Sequence, residues 1–163
     1  MAHHNTEQAL GPDLARRFDR WTSAHLAELA SLVHPVETDN RLHAWEWLVL
    51  PDGRLLKCDA IDHHCGHDLG GCQDVAWDVV GAAVELHLPQ AAGAKLCARV
   101  ERETGRPVDP RLVELFRPCY LAFQLGYYSM AADAARDPAE TVRLQCAAAR
   151  YARGLRQALL AGA

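Results

Sequence analysis

Leu14, Phe18, Trp21, His25, Leu29 and Leu32, all but the histidine apolar, recur at steps of three and four, with Arg16, Arg17, Asp19 and Glu28 mostly off that face. The spacing predicts an amphipathic helix over 13–33, ended by Pro35. The pattern then changes. Two short runs of bulky and aliphatic residues, Trp45 to Leu50 and Arg54 to Cys58, flank Pro51-Asp52-Gly53. Proline presets a turn and glycine takes a positive φ, so the segment predicts a β-hairpin that has to pack on helices to be stable. Residues 59–72 carry three glycines and no periodicity, and read as an irregular loop. Helical spacing resumes at Asp74, with Val75, Val79, Ala82 and Ala83 among the core-facing positions. Further helices are expected over about 90–103, from Asp109 to about Ala135 with a kink or restart at Pro118, and from Asp137-Pro138 to about Leu160. The prediction is one α+β domain over 1–163, mainly α-helical: helix 13–33, hairpin and loop 39–72, and helices 74–162.

Composition narrows the function classes. The chain has 163 residues, half of them apolar, and a net charge of −4. That charge argues against a nucleic-acid binder. No apolar run approaches the roughly 18 residues that span a bilayer, and the N-terminus has no apolar signal core, so a cytoplasmic protein is expected. Six cysteines are too few, in a chain with this much aliphatic core, to require a disulfide framework.

Chemistry-bearing residues concentrate between Asp39 and Asp78: Asp39, His43, Glu46, Asp59, Asp62, His63, His64, His67, Asp68, Asp74 and Asp78. Attached to one hairpin and its loops, they should converge on one edge of the domain. Crowded carboxylates repel one another, and a divalent cation offsets that repulsion; oxygen ligands favour Mg²⁺ or Mn²⁺. A second donor set overlaps the first. Cys58, His63, His64, Cys65, His67 and Cys72 supply sulfur and nitrogen within fifteen residues, the chemistry of a zinc site, although their spacing matches no standard Cys-x₂-Cys pattern.

The run from Thr38 to Asp59 resembles the catalytic segment of the aminoglycoside phosphotransferase and choline kinase group, which shares the protein-kinase fold. Leu42-His43-Ala44 stands where that group has Leu-His-Pro, Asp52-Gly53-Arg54 forms the hairpin turn, and Asp59 closes the second strand thirteen residues after Glu46. Asp74-Val75-Ala76-Trp77-Asp78 looks like the group's Asp-Pro-Ala-Tyr-Asp element, in which one aspartate braces the catalytic loop through backbone N–H groups. The resemblance implies a protein-kinase-like C-terminal lobe with one catalytic hairpin, and Mg²⁺- and ATP-dependent phosphoryl transfer to a small-molecule hydroxyl. It implies Asp39 as the catalytic base and Glu46 with Asp59 as metal ligands, with Asp62 a rival to Asp59. His43, Asp74 and Asp78 would be supporting residues.

The sequence departs from the family in having Glu46 for an asparagine and two residues, Asn40 and Arg41, between Asp39 and Leu42. It also lacks a phosphate-covering glycine loop and a preceding strand lysine. The nucleotide-gripping N-terminal lobe is therefore expected from another chain or to be missing. The alternative is a non-catalytic binding module, either a zinc-binding protein using Cys58, His63, Cys65, His67 and Cys72 or a degenerate kinase-like partner.

Overall fold

The computed structural model describes residues 1–59 and 71–161. The chain is mainly helical, with a few short antiparallel strands. It gathers into two compact units, one combining Met1–Ala27 with Arg117–Ala163 and the other formed by Glu28–Phe116.

The first unit opens with α1 (Ala2–Leu10) and α2 (Pro12–Ala15), followed by a 3₁₀ turn over Arg16–Arg20. Helix α3 (Ser23–Ala30) starts in this unit and ends in the second. The single helix expected over 13–33 is thus broken into pieces. The backbone leaves helical geometry at Trp21 (φ −89°, ψ 84°), whose ring is buried with the Arg20 guanidinium 4.0 Å from its centre. Burying that indole outweighs the modest helix propensity of the segment.

Most of the first unit's core lies between two long helices, α6 (Pro110–Ala134) and α7 (Pro138–Ala161), the former beginning in the second unit. Tyr120, Leu121, Leu125 and Tyr128 are buried on α6, and Leu144, Tyr151, Leu155 and Leu159 on α7. Tyr128 and Tyr151 stack at 5.4 Å. Helix α6 passes through the buried Pro118 without interruption. Helix α1 reaches α6 through Asn5, whose side-chain amide donates to the Ala122 carbonyl at 3.0 Å. A side chain at Gly126 would collide with that amide.

The second unit holds two small sheets and two further helices. Strand β1 (Pro35–Val36) pairs antiparallel with β4 (Gln73–Asp74), while β2 (Trp47–Val49) pairs with β3 (Leu55–Lys57). The second pair is the expected hairpin, with Gly53 at φ 82° and its N–H donating to the Leu50 carbonyl. Leu48, Val49, Leu55 and Leu56 remain exposed, so packing on helices does not cover those side chains.

Asp74 caps α4 (Val75–Glu85) by accepting from the Ala76 N–H at 2.9 Å. Helix α4 buries Ala76, Trp77, Val79, Val80 and Gly81; Val75, Ala82 and Ala83, expected in the core, are only half-buried. Trp77 meets Phe116 edge-on at 5.7 Å. Helix α5 (Gln90–Thr104) ends at Gly105 in the left-handed conformation.

Candidate functional site

Two acidic residues near the start of α4 organise the chain around the site. Asp74, besides capping the helix, accepts from the His34 N–H at 2.9 Å, beside the Pro35–Asp74 pairing of β1 and β4. One turn later, Asp78 accepts from the Asp39 N–H at 2.7 Å and the Asn40 N–H at 2.9 Å, one with each oxygen. Two amides that no strand or helix would satisfy are therefore held by one carboxylate. Burial pushes the Asp78 carboxyl above its ordinary range. The two N–H donors and Lys57 act against that shift, and the charge on Asp39 adds to it.

Held in this way, Asn40 adopts a left-handed conformation (φ 62°) while buried, and its side-chain oxygen accepts from the Thr38 hydroxyl at 2.9 Å. A non-glycine residue with positive φ is uncommon and carries strain that neighbouring contacts must hold. Here that strain sits directly beside Asp39.

Asp39 and Glu46 converge on a cation supplied by the chain itself. The Lys57 ammonium, at the end of β3, lies 3.2 Å from Asp39 Oδ2 and 2.6 Å from Glu46 Oε2, and also donates to the Asp59 carbonyl. Burial alone would lower the Lys57 pKa, but its bonds to Glu46 and Asp39 and their charges outweigh this and raise it above the ordinary lysine value. Asp59 is exposed and meets Lys57 through its backbone carbonyl. Lys57 plays no part in the sequence reading. The available signal was the hairpin register, which pairs it with Trp47, next to Glu46.

His43 is buried and reaches α4 at the opposite end from Asp78. Its Nδ1 lies 3.2 Å from Glu85 Oε2, though not aligned as a linear hydrogen bond. The Trp45 ring stacks on the imidazole at 4.4 Å and is itself 63% exposed. Glu85 is almost fully buried and was also missed from sequence. The signal was its position seven residues after Asp78, two helical turns along the same side of α4.

The all-oxygen pair Asp39 and Glu46 suits a hard divalent cation, and the point where they meet is filled by Lys57. Among the described residues, no group of three or more His, Cys, Asp and Glu side chains is arranged to hold a metal. Asp62, the rival metal ligand, lies outside the described residues, as do His63, Cys65 and His67 of the zinc alternative. Its other two members, Cys58 and Cys72, are exposed free thiols. No described helix is long and apolar enough to cross a membrane. No protein-family model, curated protein or solved structure matches the chain.

Proposed function

We propose that the second unit is the acceptor-activating and cation-handling half of a kinase-like, ATP-dependent phosphotransferase acting on a small-molecule hydroxyl. The observation that carries this reading is the convergence of Asp39 and Glu46 on one cation position while Asp78 fixes the backbone that presents Asp39. Phosphoryl transfer asks little of a protein beyond positioning and charge compensation. Asp39 would orient the acceptor hydroxyl and take its proton at a carboxylate oxygen. Glu46 would hold the cation, and the Asp78 brace keeps the loop from drifting as charge moves. Mg²⁺, when bound, would compensate the charge of the transferring phosphate. The remaining grip on the nucleotide would come from another chain or segment.

The test is ADP release by the full chain with MgATP and a panel of sugar and amino-alcohol acceptors. Asp39→Asn should lower any turnover by at least about a hundredfold. Turnover unchanged in that variant removes the assignment. One observation favours the second reading, a degenerate kinase-like partner without catalysis: Lys57 already balances both carboxylates. Under that reading neither ADP release nor MgATP binding is observed, and the Lys57 ion pairs are purely structural.

A further inference from the structure

Glu46 ends a 3₁₀ turn of only three residues, Ala44–Glu46, closed by its N–H donating to the His43 carbonyl at 3.0 Å. A turn this short gains nothing from helix cooperativity, and no side-chain bond caps its start. Its exit is fixed by the hairpin: the Cys58 N–H donates to the Glu46 carbonyl at 2.8 Å, and Trp47, next along the chain, pairs with Lys57. Its entry depends on His43. There the imidazole is held on two sides, with Nδ1 3.2 Å from Glu85 Oε2 and one ring face against Trp45, parallel to within 11°. The Glu85 side chain is 1% exposed, and a carboxylate so far out of water persists only where partners compensate it. Helix α4 therefore touches this loop twice. Asp78 takes the Asp39 and Asn40 N–H groups, and Glu85, on the same side of the helix and about 10 Å further along it, takes His43.

We infer, resting on the reading of this site given above, that Glu85 is a positioning residue for Glu46 and acts through His43. Asp78 and Glu85 are separate clamps on one helix, one for each carboxylate of the site. Asp78 fixes the backbone at Asp39. Glu85 holds the imidazole of the residue whose own carbonyl closes the turn that presents Glu46 to Lys57. Releasing the second clamp loosens Glu46 and leaves the first in place.

The experiment is amide hydrogen exchange of the full chain, resolved residue by residue by NMR. His43→Phe keeps the ring and its stack on Trp45 but removes the nitrogen facing Glu85; Glu85→Met keeps the bulk of the side chain but removes its oxygens. Glu85 has contacts of its own beyond His43, so His43→Phe, which leaves them in place, is the deciding variant. Each variant should speed exchange of the Glu46 N–H at least about tenfold, while the Asp39 and Asn40 amides keep native rates and report that the fold is intact. A folded His43→Phe protein with a native Glu46 rate overturns the inference, and so does equal acceleration of all three amides. The double variant should be no faster at Glu46 than the faster single one; multiplied effects mean that Glu85 does not act through His43, which also overturns it.

Turnover separates positioning from mere support of the fold. With MgATP and an acceptor that gives ADP release, His43→Phe should lower kcat about tenfold and leave the acceptor KM unchanged, because Asp39 stays on its own clamp. A loosened Glu46 with native kcat overturns the positioning role. The two proposals fail separately. Faster Glu46 exchange in His43→Phe with no ADP release from any form removes the phosphotransferase reading alone. ADP release with an unchanged Glu46 exchange rate in His43→Phe removes this inference alone.

Discussion

Asp78 carries two backbone donors on one carboxylate, so removing it strands two amides at once. Asp78→Ala is expected to cost about 2–4 kcal/mol, at roughly 1–2 for each orphaned donor, read from the shift of the urea midpoint. The cost should also depend on pH. The folded-state pKa of Asp78 lies above its unfolded value. Its own titration therefore favours the native state most below the ordinary carboxylate range, and that contribution is lost as pH rises through the folded pKa. The stability gap between native and Asp78→Ala should accordingly be widest at low pH and narrow toward neutrality. Cysteine reactivity offers a second check. Burial pushes the Cys119 thiol up to about 11, whereas Cys58, Cys72 and Cys146 are exposed. Alkylation at pH 8 followed by peptide mass spectrometry should label those three ahead of Cys119. At this scale Asp39, Glu46 and Asp78 were legible because carboxylates beside a hairpin and a helix start are conspicuous. Lys57 and Glu85 were not, because one reads as an ordinary strand charge and the other as a polar residue at a helix end. Only the folded register brings each to its partner.

Elements with explicit stop and start chemistry were read closely. Asp74 caps α4, Gly105 ends α5 in the left-handed conformation, and Pro138 opens α7. Asp74→Ala removes both the cap and the His34 contact, and should lower stability by about 1–3 kcal/mol in chemical denaturation. The break at Trp21 had no such marker. Three-and-four spacing continues through it, and tertiary burial of the indole decides the backbone. The β1–β4 pair was equally silent, since two-residue strands separated by 36 positions leave no periodic trace. Helix α1 shows how much one small residue can matter. Gly126→Ala would drive a methyl group into the Asn5 amide and break its bond to Ala122. A loss of about 1–3 kcal/mol is expected in thermal or urea unfolding, and Asn5→Ala in the same background should recover part of it.

For the molecule as a whole, the exposed Leu48, Val49, Leu55 and Leu56 on a two-stranded hairpin are the main departure from simple burial logic. Apolar strand residues left open are a self-association hazard. Val49→Lys alone should raise the concentration at which light scattering appears, while changing the unfolding free energy by no more than about 0.5 kcal/mol. The mainly helical character was legible from spacing alone. The grouping into two units was not, because periodicity reports which face of an element is apolar and not which distant element covers it. That grouping carries a consequence for how the chain is made. The first unit needs both Met1–Ala27 and Arg117–Ala163, with the whole of Glu28–Phe116 between them. On the ribosome, α1 emerges ahead of the rest of its unit, and Ala122 and Gly126 follow more than a hundred codons later. The intervening unit can complete itself first, leaving the early helix waiting for its partner, an interval in which nascent-chain binding factors would find it unprotected.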